Sequence, residues 1–282
     1  MTSEYVRLVE NAARHLEREL GAAPELAIVL GTGLDGIVQA SDIEASINVM
    51  EIDGHARPGY HGDRGHVHAS VIAGERVWLV DGRVHGYDGA TPNETVFLAR
   101  ALCCAGVGRI LFTGAVGGMD NALSTGDFVV VTDHINLTGT GPLEGPNHDG
   151  WGPRFPDMSA AYDPSMNKGL GEAASACGVS VKEGVYAGVR GPQLETAAEY
   201  RMLLRMGAHV VGMSTVHEVI ACVHMGVPVA SLCLVTDACH PDTLEPVSIA
   251  DIMDIAARAQ EPFIRVVRSY VSSLSASTTP CR

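Results

Sequence analysis

Residues 27–36 read AIVLGTGLDG, four apolar residues running directly into a glycine-rich turn. The reading of that turn decides the fold, because Gly31, Gly33 and Gly36 complete a literal G-x-G-x-x-G. In a dinucleotide-binding unit the turn opens a crossover helix to a second parallel strand. An acidic residue about 20 positions on then holds a ribose hydroxyl. Glu51 and Asp53 stand near that distance, but segment 41–67, SDIEASINVMEIDGHARPGYHGDRGHV, has no helical spacing to supply the crossover. Two readings are left: a tight strand-to-helix turn, or a phosphate-sized nest of backbone N–H groups around the Thr32 hydroxyl.

Working outward, continuous apolar runs recur at 26–30, 77–81, 109–113, 128–132, 185–189, 209–213 and 229–236. Such β-branched runs suit strands covered on both faces. Helices are expected between them. Tyr5, Leu8, Val9, Ala12, Leu16 and Leu20 follow helical spacing, and Thr91–Glu94, Thr196–Glu199 and Thr215–Glu218 each carry capping-box chemistry. A last helix is expected from near Ser248 to about Ser272. The alternation predicts one α/β domain over residues 1–282, with a central mixed, mostly parallel sheet flanked by helices. The Gly- and Pro-rich stretch 136–165 is the one long irregular insertion, a place where function or subunit contacts concentrate.

Composition narrows the function. The apolar segments fall far short of the ~20 residues a membrane-spanning helix needs, and the charged N-terminus has no signal-like run. A soluble, cytoplasmic protein is expected. The formal net charge of −14 disfavours nucleic acid and anionic membranes as partners. Cys103, Cys104, Cys177, Cys222, Cys233, Cys239 and Cys281 show neither a C-x-x-C pair nor a metal-ligand rhythm, so neither a metal nor a disulfide framework is expected.

Against that negative charge, anion donors gather at strand ends. VDGRVHGYDG (80–89) presents Arg83, His85 and Tyr87 at alternate positions, which places all three on one face if the chain stays extended. FTGAVGGMDNALSTGD (112–127) offers backbone N–H groups at Ala115–Gly118. VVGMSTVHE (210–218) puts Ser214 at a helix start, and SLCLVTDACH (231–240) ends in Thr236 and Asp237. Ligands of open α/β sheets sit at such carboxyl ends. His209, His217 and His224 read as structural or solvated.

The chain resembles the trimeric-type purine nucleoside phosphorylases, in the superfamily that includes methylthioadenosine phosphorylase. The resemblance runs from about residue 5 to 270. It is carried by LGTGLDG (30–36), GRVHGYDG (82–89), TGAVGGM (113–119), DHINLTG (133–139), GPNHDGWGPRFPDMSAAYD (145–163), RGPQLETAAEY (190–200), GAHVVGMSTVHE (207–218) and LVTDA (234–238). It implies reversible phosphorolysis, with inorganic phosphate as co-substrate, no cofactor and no metal, in a homotrimer. Phosphate would be held by Thr32, Arg83, His85, the Ala115 backbone, Ser214 and a further histidine, assigned to His61. The sugar would meet Tyr87, Met213, Ile249 and, from a neighbouring subunit, Phe155. The base would meet Tyr186, Leu194, Glu195, Val211, Gly212, Thr236 and Asp237. Asp237, His85 and Glu195 would be catalytic. Breaking a glycosidic bond builds positive charge on the sugar, which a phosphate dianion offsets, and negative charge on the purine, which a carboxyl group at N7 helps accept.

Two positions depart from the 6-oxopurine pattern. Phosphorylases for 6-oxopurines carry an amide where this chain has Asp237, and an ionised carboxylate accepts from a 6-amino group instead. Apolar Ile249 stands near the position where the family has the histidine that meets the 5′-hydroxyl, which suits a 5′-alkylthio group. Glu195 points the other way, since it accepts from the N1–H of an oxopurine. The sequence is a hybrid, with relaxed or 6-amino-shifted preference expected and methylthioadenosine as an alternative substrate. A nicotinamide-dependent oxidoreductase would explain only the glycine turn. A non-catalytic nucleoside-binding protein would not need Arg83 beside His85, and a hydrolase would leave the anion donors without a role.

Overall fold

All seven apolar runs are strands in the computed structural model, which describes residues 2–57 and 65–276. In chain order the elements are α1 (Ser3–Leu20), β1 (Leu26–Val29), α2 (Gly36–Gln39), β2 (Asp42–Asn48), β3 (His66–Ile72), β4 (Glu75–Asp81), α3 (Pro92–Thr95), α4 (Phe97–Ala105), β5 (Arg109–Gly118), β6 (Phe128–Asn136), α5 (Pro164–Ala176), β7 (Val181–Gly188), α6 (Ala197–Arg205), β8 (Val210–Gly212), α7 (Val216–His224), β9 (Val229–Ala238) and α8 (Ile249–Ala276). The expected caps form at Thr91 and Thr196. Ser248 caps α8 through Asp251.

The apolar runs are continuous because both faces of the sheet are covered. Ala27, Val29, Trp78 and Val80 pack toward α1, α4 and α7. Leu26, Ile28, Val77 and Leu79, the alternate positions, pack toward α5 and α8. A smaller cluster of Met119, Ala187, Val211 and Cys239 packs on Tyr200 and Leu203 of α6.

The strand order is β2-β3-β4-β1-β5-β8-β7-β6-β9, and a further pairing joins β9 back to β5. Pairs β1–β4, β1–β5, β5–β9, β6–β7 and β7–β8 are parallel. Pairs β2–β3, β3–β4, β5–β8 and β6–β9 are antiparallel. The sheet is mixed and mostly parallel, as expected, but its last five strands close into a ring that the sequence does not announce. Nor does it announce the β2–β3 pair: β2 is a largely exposed edge strand without an apolar run. That antiparallel pair occupies the segment where a dinucleotide fold would need its crossover helix.

The insertion is irregular from 137 to 163 and is pinned to the body from below. Arg100 of α4, fully buried, donates to Pro142 O at 2.8 Å and Asn93 Oδ1 at 2.9 Å. His217 of α7 meets Thr138 Oγ1 at 2.9 Å and Thr140 O at 3.1 Å. His224 meets Asn147 Oδ1 at 3.1 Å, and His209 Nδ1 accepts from Val185 N at 3.0 Å. All three histidines have structural partners. Among the described residues, no helix is long and apolar enough to cross a membrane.

Candidate active site

The glycine turn holds its shape by close packing. A Cβ on Gly31 would strike the Gly114 backbone, with Thr113 O only 2.6 Å away. Gly31 N–H instead donates to Thr113 Oγ1 at 2.9 Å. Gly33 has φ +72° against Ala256, and a Cβ on Gly36 would stand 2.5 Å from Gln260 Oε1. All three glycines thus answer to β5 and α8, and half-buried Thr32 is left at the carboxyl end of β1, between the ends of β4 and β5.

From the end of β4, Arg83 runs inward. Its Nη1 donates to Thr113 O at 2.9 Å and its Nη2 to Thr215 Oγ1 at 3.3 Å. Its Nε donates to Glu218 Oε1 at 3.1 Å, and Nη2 donates to Glu218 Oε2 as well. Burial alone would lower the guanidinium pKa, but the Glu218 carboxylate outweighs it and the pKa is raised. His85 and Tyr87 go elsewhere: after His85 the chain enters a short helical turn, Gly86–Asp88. Their rings stack at 4.7 Å between centroids and 11°. The expected single face for Arg83, His85 and Tyr87 is therefore corrected, because the extended conformation ends at His85. Burial first, then Asp88, pushes the Tyr87 hydroxyl up to about 12, so it stays a donor at neutral pH.

Ser214 and Thr215 enter from the ring side. Thr215, a β-branched residue at φ +68°, turns the chain from β8 into α7. Such strain persists only where the surroundings over-determine it, and it gathers at functional sites. Here the Thr215 N–H donates to Glu218 Oε2 at 3.0 Å, and its hydroxyl lies 3.3 Å from Ser214 Oγ. A Cβ on Gly114, next to Ala115, would stand 3.9 Å from Ser214 Oγ, so the hydroxyl faces the open β5 backbone. A cleft of about 220 Å³ is lined by His85, Met213, Ser214, Thr215, His217 and Arg190, among others.

A second cleft of about 360 Å³ shares Val189 and Arg190 with the first and adds Leu194 and Glu195. Near it the ring brings three strands together at Gly117, whose partners are Val211 on β8 and Asp237 on β9. Thr236 Oγ1 donates to Asp237 Oδ1 at 3.0 Å, and the Cys239 thiol donates to Asp237 Oδ2 at 2.9 Å. The Tyr200 hydroxyl reaches both the Cys239 sulfur and the Glu195 carboxylate. Burial, and after it Asp237 and Glu199, raises the Glu195 pKa against the hydrogen bonds that lower it. Burial and then Asp237 raise the Cys239 thiol well above its ordinary value. Buried Tyr186 lays its hydroxyl over Gly212, where it accepts from Ser214 N at 3.3 Å.

Of the residues the sequence singles out, His85, Met213 and Ser214 line the first cleft, with Arg83 bonded behind it to Thr215. Leu194 and Glu195 line the second, while Val211 and Asp237 meet at Gly117 outside both linings. Phe155 is 86% exposed, with the Arg154 guanidinium 5.5 Å from its ring centroid, and lines neither cleft. Ile249 is 60% exposed at the first turn of α8 and also lines neither. His61 lies outside the described residues. Sequence reading took Glu218 only as a helix cap and passed over Tyr200, Cys239 and Arg190. Glu218 had a signal, a carboxylate four residues past Ser214, but its partner is 135 positions away.

The model of the phosphorylase superfamily matches residues 25–272. Purine nucleoside phosphorylase 1 of Bacillus subtilis is 32% identical over 264 residues, 94% of this chain and 97% of that protein. A Schistosoma purine nucleoside phosphorylase solved with hypoxanthine superposes with a TM-score of 0.89 at 30% identity, covering 97% of this chain and 99% of that one. The Schistosoma mansoni enzyme solved with adenosine superposes with a TM-score of 0.87 at 29% identity, covering 98% and 99%. With its strand ring, glycine turn and paired clefts, the chain belongs to the phosphorylase superfamily, among the purine nucleoside phosphorylases.

Proposed function

We propose that this enzyme catalyses the reversible phosphorolysis of purine nucleosides, giving free base and pentose 1-phosphate. The observation that carries the reading is the linked set Arg83–Thr215–Ser214 beneath the first cleft, adjoining a second cleft lined by Glu195, whose carboxyl group feels the Asp237 charge. Phosphate enters the first cleft and meets the Ser214 and Thr32 hydroxyls, His85, the Ala115 backbone and the guanidinium that Glu218 orients. The sugar lies over it, against Met213 and Tyr87. The purine reaches Asp237, held by Thr236 and Cys239, and Glu195. As the glycosidic bond breaks, the phosphate dianion offsets charge on the sugar while the carboxyl group at N7 takes up charge on the base. Inorganic phosphate is the co-substrate, with no metal or cofactor in the reaction.

Asp237 supports acceptance of 6-aminopurines, because an ionised carboxylate accepts from an exocyclic amine. The same residue favours methylthioadenosine as a second substrate, and apolar Ile249 agrees with it. Exposed Phe155 supports a homotrimer in which one subunit's Phe155 closes the next subunit's sugar site. The enzyme would act in the cytoplasm.

Inosine, guanosine, adenosine and methylthioadenosine assayed in parallel, with and without phosphate, test the reading. Phosphate-dependent base release is expected, and Arg83→Ala should raise the phosphate requirement and largely abolish turnover. Release without phosphate would mean a hydrolase, and binding without release a carrier. Thermal protection by NAD rather than phosphate would restore the oxidoreductase. Inosine and guanosine exceeding the aminopurines by a hundredfold would overturn the base preference alone.

A further inference from the structure

The β3–β4 hairpin carries a group of side chains that phosphorolysis does not use. His66 and His68 project from the same face of β3, and Asp81 stands directly across from His66 on β4. Asp81 Oδ1 lies 3.7 Å from His66 Nδ1, and Asp81 Oδ2 lies 3.4 Å from His68 Nε2. One donor atom from each of the three falls within 4.8 Å of the others. The two imidazoles stack with centroids 5.5 Å apart and 21° between planes.

Two further features distinguish this from a chance cluster. The His68 side chain is nine-tenths buried, and its Nε2, aimed at the carboxylate, makes no hydrogen bond. Its other nitrogen, Nδ1, lies 2.7 Å from Ser46 Oγ on β2. A hydrogen bond to the far ring nitrogen is what fixes the orientation and tautomer of a metal-bound histidine. With that nitrogen as donor to Ser46, the Nε2 lone pair faces Asp81.

We propose that His66, His68 and Asp81 form a binding site for a borderline divalent transition ion, Zn²⁺ above all. Metal–ligand bonds of about 2.0–2.2 Å place donor atoms roughly 3.3 Å apart around a tetrahedral ion. The His68 Nε2–Asp81 Oδ2 distance of 3.4 Å already approaches that value, whereas His66 Nδ1 faces the other carboxylate oxygen at 3.7 Å. The remaining gap closes by rotation of His66, whose side chain is 38% exposed and whose side of the site opens to solvent for a fourth ligand. Two imidazoles and one carboxylate select Zn²⁺, Ni²⁺ or Cu²⁺ over Mg²⁺ and Ca²⁺, which prefer oxygen donors throughout. Of the two strands, β4 continues directly from Asp81 into Gly82 and Arg83, the loop that the proposed function places at the phosphate. The ion ties β2, β3 and β4 together at that end and takes no part in the reaction.

Titration calorimetry of the full chain with ZnCl₂, after chelator treatment, is the test, with Co²⁺ absorption as a spectroscopic check of ligand number. One ion per chain is expected, with the visible bands of four- or five-coordinate Co²⁺. His66→Ala, at a half-exposed position that leaves the core intact, should weaken binding at least tenfold. His68→Gln should do the same, and Ser46→Ala should weaken it about tenfold through the ring it orients. Unchanged binding in His66→Ala and His68→Gln would place the ion on other histidines and overturn the site. Absence of stoichiometric binding to the wild-type chain would reduce the cluster to a histidine–aspartate ion pair.

Discussion

Glu218 grips Arg83 at two points in the interior, receiving Nε and Nη2 on its two carboxylate oxygens while also accepting the Thr215 N–H. The guanidinium proposed above to meet phosphate is thus held in place without any anion. Removing one partner of a buried pair leaves the other uncompensated, at a cost of about 3–5 kcal/mol. Glu218→Ala should therefore lower the unfolding free energy by about 3 kcal/mol, and Glu218→Gln by less, because the amide oxygen still accepts. Denaturant melts of the two variants are the measurement, and equal stability for Glu218→Ala and wild type would show that the pair contributes nothing.

Asp237 receives donors on both oxygens, from Thr236 and Cys239. Asp237→Asn turns one oxygen into a donor, which Thr236 Oγ1 can accept. The inosine-to-adenosine ratio of kcat/KM should rise by about ten- to hundredfold, the range of one mispaired buried hydrogen bond. An unchanged ratio would remove Asp237 from base selection.

Glu195 has a raised pKa, chiefly from burial and then from Asp237. A carboxyl group raised in the folded state stabilises fully below its ordinary value of 4.5, and that contribution is lost as pH rises through the raised value. The stability of Glu195→Gln relative to wild type should therefore climb across that window and level off above it. In kinetics the same variant should depress inosine turnover about tenfold more than adenosine turnover, since adenine has no N1 proton to lose. Thermal melts from pH 4 upward and paired assays read the two effects separately.

His55 packs edge-to-face on Phe97, and burial lowers its pKa from 6.5 to about 4. A base depressed in the folded state gives stability that is complete above 6.5 and drains away as pH falls through about 4. His55→Leu should flatten that acid loss, by up to about 3 kcal/mol in the difference between variant and wild type. Parallel slopes for the two proteins between pH 7 and 4 would exclude the histidine as the cause.

Gly31→Ala pushes a methyl group into the Gly114 and Thr113 backbone. Overpacking against backbone costs typically about 1–3 kcal/mol, and here it also parts the ends of β1 and β5. The variant should melt earlier and bind phosphate more weakly, and wild-type values for both would mean that the turn can shift.

What was legible in the sequence was what local periodicity encodes. Seven apolar runs became seven strands, and the Thr91 and Thr196 boxes became helix starts. The β2–β3 pair was hidden because β2 lies at an exposed edge, where burial imposes no apolar pattern. Ring closure was hidden because β8 spans only Val210–Gly212, too short to mark its register. In the site, Arg83, His85, Ser214 and Asp237 stood out as polar groups closing apolar strands. The Glu218 and Cys239 contacts depend on how separate strands and helices meet, which no spacing reveals. The expected common face for Arg83, His85 and Tyr87 failed because a helical turn begins at Gly86.

The pairing of β9 back onto β5 leaves the strands that carry Val211 and Asp237 without a free margin. A lone edge can peel away ladder by ladder, but a cycle opens only when two seams give way together. Hydrogen exchange at Gly117, Val211 and Asp237 should therefore slow in concert, well behind the exposed margin at β2. A purine held at Asp237, as proposed above, would meet a hoop that holds its gauge.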